Sequence, residues 1–260
     1  MKLQDKGHKT INGIGLYYEI YGSGQPLVLI HGGGGSILHD FSKLIPLLQN
    51  NFQLIGIDLQ NHGRSAHRTI PETFEQDADD VAEMVKQLGF AKASFWGFSN
   101  GGNTVMQIAH RHPGLVEKII IASSFYKREG MFAGFFDGFD TATLDNMPKS
   151  LQEDFLKQNN NDREKLQNMF DKDRQRMKNF KDWDDAVLTS IKAPAFIISG
   201  DQDVATLEHT VKMTRLIPNT RLMILPATHG SYMMTDFEGD TDDQQIAFTA
   251  EEVNRFLKDH

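Results

Sequence analysis

The chain has 260 residues, 39% of them hydrophobic and 24% charged, which is material for one large soluble core or a core with a modest insertion. Its 27 basic and 35 acidic side chains give a net charge of −8, which argues against nucleic acid and against anionic membrane as the main partner. Cysteine is absent, so disulfides, thiolate metal sites and cysteine nucleophiles are excluded.

Residues 1–13 are polar and carry no apolar stretch of the signal-peptide kind, and no run approaches the ~18 apolar residues of a membrane span. The expectation is a cytoplasmic protein without a membrane span. Residues 15–21 are rich in strand formers, and Asn12-Gly13 just before them reads as a hairpin turn, so an antiparallel pair is expected first. Residues 26–30 form a continuous apolar run, as suits a strand buried on both faces. The run ends in His31 and four glycines, Gly32 to Gly35. The spacing of Ile37, Leu38, Phe41, Leu44, Ile45 and Leu48 then predicts a helix over 37–50.

The same alternation continues. Strands are expected over 52–59, 93–98 and 116–122, and helices over 73–88 and 101–112. After Ser124 the strand signal stops for about 65 residues, too long a stretch to lack structure of its own. Residues 144–159 and 163–180 read as charged helices within it. Strands return over 195–199 and 221–225, with helices over 206–217 and 250–257. Apolar strands alternating with helices predict a parallel sheet covered on both faces.

Chemistry concentrates where strands end. Gly97-Phe98-Ser99-Asn100-Gly101 stands between a strand and a helix. A sharp strand-to-helix turn would expose the Ser99 hydroxyl, and glycines at 97 and 101 remove Cβ atoms that would clash there. A serine nucleophile needs a base, a group to orient that base, and donors for an oxyanion. The strand over 195–199 runs into Gly200-Asp201-Gln202-Asp203, and the strand over 221–225 into a loop holding His229. In an open parallel sheet such loops gather at the carboxyl edge. The bare backbone of the 32–35 glycine loop could donate N–H groups there.

On these residues the chain resembles the α/β-hydrolase superfamily, in the branch with a helical cap inserted after the sixth strand. The resemblance covers nearly the whole chain and is weakest in the cap and near residue 240. It implies an α/β fold with a mostly parallel, eight-stranded sheet, residues 1–124 and 192–260 forming the core and 125–191 the cap. It also implies Ser99 as nucleophile, His229 as general base and Asp203 as the acid of the Gly-x-x-Asp turn. The backbone N–H groups of Gly33 and Asn100 would form the oxyanion hole. Residues 58–65 are similar to the family's Asp-x-Arg-Gly-His-Gly-x-Ser loop, with Gln60-Asn61 in place of Arg-Gly. A serine at 99 argues against the dehalogenase and epoxide hydrolase relatives, which use aspartate. The implied activity is hydrolysis of a small or medium hydrophobic ester without cofactor or metal. The same triad also serves C–C bond hydrolases, lactonases, thioesterases and perhydrolases, and some similar proteins are ligand receptors with little turnover. Oligomeric state is left open.

Three rival readings accompany these. Asp201 could be the acid, with Asp203 capping the next helix. His31 and His62, in glycine turns, would bond locally. The acidic residues of 236–243 read as a solvated loop rather than a calcium site. In the cap, Phe132, Phe135, Phe136 and Phe139 share one face if 132–139 is helical. Phe132, Phe135 and Phe136 are therefore candidates to line a substrate pocket, and the alternative is that the face packs the cap onto the core.

Overall fold

The structure is a computed structural model that describes residues 2–259, and its strands fall on the apolar runs of the sequence. β1 (Leu3–Ile11) and β2 (Ile14–Tyr21) form an antiparallel hairpin, closed by Asn12 and Gly13 with φ of 44° and 89°. Positive φ at both corner residues matches the right-handed twist of the strands it joins. β3 (Gln25–Ile30) leads through the glycine loop to α1 (Ile37–Phe41) and α2 (Ile45–Leu48), then β4 (Phe52–Ile57). α3 (Phe74–Gln87), β5 (Ala93–Phe98), α4 (Asn100–Arg111) and β6 (Val116–Ala122) follow.

The long segment after β6 holds α5 (Gly138–Thr141), α6 (Lys149–Gln158), α7 (Arg163–Asn179) and α8 (Asp185–Thr189). β7 (Ala195–Gln202), α9 (Leu207–Leu216), β8 (Thr220–Thr228) and α10 (Asp243–Lys258) complete the chain. The eight strands form one sheet in the order β1-β2-β4-β3-β5-β6-β7-β8. β2 runs antiparallel to β4, and every pair from β4 and β3 onward is parallel. One face of the sheet packs Val81, Val105, Leu188 and Met213 from α3, α4, α8 and α9. The other packs Phe41, Leu48 and Phe256 from α1, α2 and α10.

Four expectations change. The helix over 37–50 is split into α1 and α2, because Pro46 has no N–H to continue the first helix and its ring crowds the carbonyl one turn back. α10 begins at Asp243 rather than Ala250, because the Asp242 side chain accepts the N–H groups of Gln244 and Gln245. Residues 132–139 are not one helix. Gly134 takes φ of 84° and the segment is a chain of turns before the single turn of α5, so the four phenylalanines do not share a face. Finally, α8 lies inside the expected cap span, yet Leu188 and Ile191 are buried in the core beneath the sheet.

Candidate active site

Ser99 sits between β5 and α4 with φ of 51° and ψ of −121°, a conformation an L-residue adopts only when its surroundings impose it. The surroundings here are backbone. A Cβ on Gly97 would lie 2.0 Å from the Gly101 carbonyl oxygen, and one on Gly101 would lie 2.2 Å from that of Ile30. Only glycine fits at either place, so the two glycines let the chain turn hard enough to present the serine. Asn100 opens α4, and its N–H is among those a helix leaves without an internal partner.

The structure brings Ser99, His229 and Asp203 together from three strand ends. His229 Nε2 is 3.1 Å from Ser99 Oγ, and His229 Nδ1 is 2.6 Å from Asp203 Oδ1. With Nδ1 against a carboxylate, that nitrogen carries the proton and Nε2 faces the serine hydroxyl as acceptor. Asp203 is buried and densely bonded. It accepts the Ser123 hydroxyl, the Val204 N–H at 2.7 Å and the Gly200 N–H at 3.2 Å. Burial pushes its pKa up, but the His229 charge and these hydrogen bonds outweigh that and hold it at about 2. Asp201 is exposed and instead accepts the Ala227 N–H at 3.0 Å on β8.

The glycine loop is a tight turn. Gly35 N–H donates to the Gly32 carbonyl at 3.2 Å, and Gly34 takes φ of 68°. Gly32 N–H donates to Asp40 at 2.7 Å and Gly34 N–H to Asp173 at 2.6 Å. Among the described residues the Gly33 N–H has no partner. A Cβ on Gly33 would lie 2.6 Å from Asn100 Nδ2, so Gly33 and Asn100 stand face to face beside Ser99. His31 is buried beneath the loop. Its Nε2 accepts the Leu59 N–H at 2.9 Å, so Nδ1 carries the proton and donates to the Gly32 carbonyl at 2.7 Å. Burial lowers its pKa and keeps it neutral.

Beside Ser99 a cavity of about 340 Å³ opens between the glycine loop and residues of the 135–177 segment. Its walls include the thioethers of Met147, Met169 and Met177 and the rings of Phe135, Phe139 and Phe170. Of the three phenylalanines expected to line a pocket, only Phe135 does. Phe132 points to solvent at 51% exposure. Phe136 is buried against Phe125 and Phe180, with the Arg128 guanidinium 4.0 Å from its ring.

One feature has no counterpart in the sequence reading. Asp173, on α7, reaches the same cavity and pairs with His62 Nε2 at 2.8 Å and with Arg176. Arg176 also pairs with Asp77 at 2.8 Å, and Glu72 lies 3.7 Å away. His62 Nδ1 is 2.9 Å from the Gln60 carbonyl. His62 Nδ1 thus faces a carbonyl and Nε2 a carboxylate, with the Gly34 N–H also 3.1 Å from Nε2, and the doubly protonated ring serves both acceptors while leaving the Gly34 N–H to Asp173. Burial lowers its pKa, but the Asp173 charge and hydrogen bond outweigh this and raise it to about 9. The i, i+3 spacing of Asp173 and Arg176 is visible in the sequence, but on a helix so rich in charge it carries no signal of burial.

The sequence profile for the alpha/beta hydrolase fold matches residues 25–152. The serine hydrolase BPHL of Mus musculus is 33% identical over 117 residues, covering 43% of this chain and 40% of the relative. A non-heme haloperoxidase of Rhodococcus erythropolis is 31% identical over 144 residues, covering 52% of this chain and 53% of the relative. The chain thus spans about half, or less, of the length of the curated relatives it matches. Among solved structures, a meta-cleavage product hydrolase from Pseudomonas fluorescens superposes with a TM-score of 0.78 at 19% identity, covering 96% of this chain and 97% of that one.

Proposed function

This chain belongs to the α/β-hydrolase superfamily, and from that premise we propose that it is a serine hydrolase acting on small or medium carboxylic esters. The observation that supports this reading is the contact of His229 Nε2 with Ser99 Oγ at 3.1 Å, backed by Asp203 at 2.6 Å. Ser99 Oγ attacks the ester carbonyl while His229 takes its proton. Asp203, held ionised by its bonds, stabilises the imidazolium that forms. The N–H groups of Gly33 and Asn100 receive the tetrahedral oxyanion. His229 then returns the proton to the leaving alcohol. A water activated by the same imidazole frees the acyl group. The largely apolar cavity suits a hydrophobic acyl or alcohol portion.

The test is a panel of 4-nitrophenyl esters of increasing acyl length, run beside a fluorophosphonate probe that labels activated serines. The wild type is expected to turn over many times and to be labelled. Ser99→Ala is expected to lose labelling and about 10⁴-fold or more in rate while remaining folded. Labelling that persists on another serine, or a single turnover only, would refute the assignment. A dienone substrate belongs in the panel as a second arm, because a structural neighbour is named for meta-cleavage products and the same triad can serve that reaction.

A further inference from the structure

The glycine turn is held from two sides. From the core, the Asp40 carboxylate accepts the Gly32 N–H. From the cap, 139 residues further along the chain, the Asp173 carboxylate accepts the Gly34 N–H at 2.6 Å, closer than the 3.1 Å from the same N–H to His62 Nε2. With Gly34 at its third position and φ of 68°, the turn is of type II. Types II and I differ by rotation of the peptide between the two central residues, here Gly33 and Gly34. Neither residue has a Cβ to resist that rotation. The Gly34 N–H belongs to this peptide, so whatever accepts it decides which way the peptide faces. The Gly33 N–H lies in the preceding peptide, and the Gly33 Cα joins the two, so its place in the turn is fixed only while Asp40 holds the Gly32 side and Asp173 the Gly34 side.

We propose that Asp173 is a positioning residue: from cap helix α7 it locks the 32–35 turn so that the Gly33 N–H faces the oxyanion, and the hole is complete only while the cap is seated. This rests on the reading of Ser99 and Gly33 given above. A lone carboxylate here would work against an oxyanion, since Asp173 Oδ2 lies 3.1 Å from where a Gly33 Cβ would be. The structure answers that objection with charge. The same Oδ2 receives the Nε2–H of the imidazolium of His62, and Oδ1 receives Arg176. Two buried cations therefore offset the anion while its oxygen remains a strong acceptor for Gly34. Arg176 is itself fixed to Asp77 at 2.8 Å, and Asp77 to Gln60 at 2.6 Å, so the latch is anchored in the core beneath the cap.

Lys172, the residue before Asp173, provides the control. Its ammonium ties the same helix to the core through the carbonyls of Thr69 and Ile70, at 2.8 and 2.7 Å, without touching the glycine turn. The experiment compares wild type, Asp173→Ala, Asp173→Asn and Lys172→Met on 4-nitrophenyl butyrate and on an alkyl boronic acid. The boronic acid forms a tetrahedral adduct with an active serine and places an oxygen in the hole. Both Asp173 variants are expected to lose about 10²-fold in kcat, with KM changed by less than about threefold and boronate affinity reduced as kcat is. Lys172→Met is expected to keep kcat and boronate affinity.

The proposal is overturned if the Asp173 variants keep kcat, if their loss lies in KM alone, or if Lys172→Met loses as much. Asp173→Asn keeps the shape of the side chain should the alanine variant not fold. Should neither fold, exchange of the wild-type Gly34 amide proton decides: slow exchange is expected, and exchange at the rate of an unprotected amide overturns the latch. A wild type that neither hydrolyses the ester nor reacts with a fluorophosphonate refutes the Ser99 reading instead, so the two failures are distinguishable.

Discussion

Ser123 donates its hydroxyl to Asp203 across the gap between the ends of β6 and β7. Tyr232 OH lies 2.7 Å from the same Ser123 oxygen. Ser123 holds φ of 52° to make this contact. The carboxylate that faces His229 is thus oriented by a neighbouring strand as well as by its own turn. Asp203→Asn is expected to cost about 10⁴-fold in kcat, because an amide reverses the donor pattern the imidazole needs. Asp201→Asn, on an exposed side chain bonded to β8, should stay within about threefold of wild type. Ser123→Ala should fall between, near ~10-fold, the size of one lost hydrogen bond to a charged group. Steady-state kinetics on the three variants check the order, and a larger loss in Asp201→Asn would refute it.

Phe135 and Phe136 are adjacent in sequence and differ in surroundings. Phe135 is half-buried at the cavity wall, while Phe136 is packed between Phe125, Phe180 and the Arg128 guanidinium. Phe135→Ala is expected to move the preferred ester towards bulkier acyl groups, with a small change in Tm. Phe136→Ala should cost ~3–5 kcal/mol of stability and leave the ranking of esters unchanged. Chain-length profiles and thermal melts on both variants decide between the roles.

Arg176 is the cation that Asp173 and Asp77 share, with Glu72 nearby, and its side chain is 3% exposed. Arg176→Met removes the charge and keeps most of the volume. The carboxylates left behind are buried without a counter-ion, which costs ~3–5 kcal/mol when one partner of a buried pair is removed. Urea denaturation should show that loss. A stability equal to wild type would mean the carboxylates are neutral in the folded chain.

Stability should depend on pH in two separate windows. His62 has a pKa raised to about 9 in the folded protein, so its contribution is complete below ~6.5 and is lost as pH rises through about 9. That contribution is worth ~3 kcal/mol. Asp203 is held at about 2, so its contribution is complete above ~4 and is lost as pH falls through about 2. Melting temperatures from pH 5 to 10 should decline towards the alkaline end in wild type and decline much less in His62→Gln. Parallel curves for the two proteins would contradict a charged His62.

The fold is legible in the sequence because each buried strand is a run of apolar residues ended by a glycine or polar turn. The Ser99, Asp203 and His229 positions are legible for the same reason, since each follows directly on such a run. Gly33 and Asn100 are legible only through the resemblance to a family. What is not legible is contact between distant segments. Asp173 meets Gly34 across 139 residues, and locally it is one charge among many on a charged helix. His62 reads as a turn histidine bonded nearby, and it does reach the Gln60 carbonyl, but its partner Asp173 comes from the distant helix α7. The 132–139 segment misleads in another way. Its apolar spacing fits a helix, and the backbone preference of Gly134 overrides it.

Three of the cavity's wall residues are methionines, one from the segment before α6 and two from α7. A thioether side chain has three rotatable bonds and no branch, so it fills irregular space and refills it when the space changes. A wall of this kind moulds itself to its guest, whereas rings alone would reject poor fits. Selectivity between substrates of similar size is then expected to rest on the rings of Phe135, Phe139 and Phe170 and on the backbone around Ser99. The thioether wall is expected to confer tolerance. It also makes the cavity vulnerable to oxidants, since each sulfoxide would place a polar oxygen in the surface that the substrate must wet.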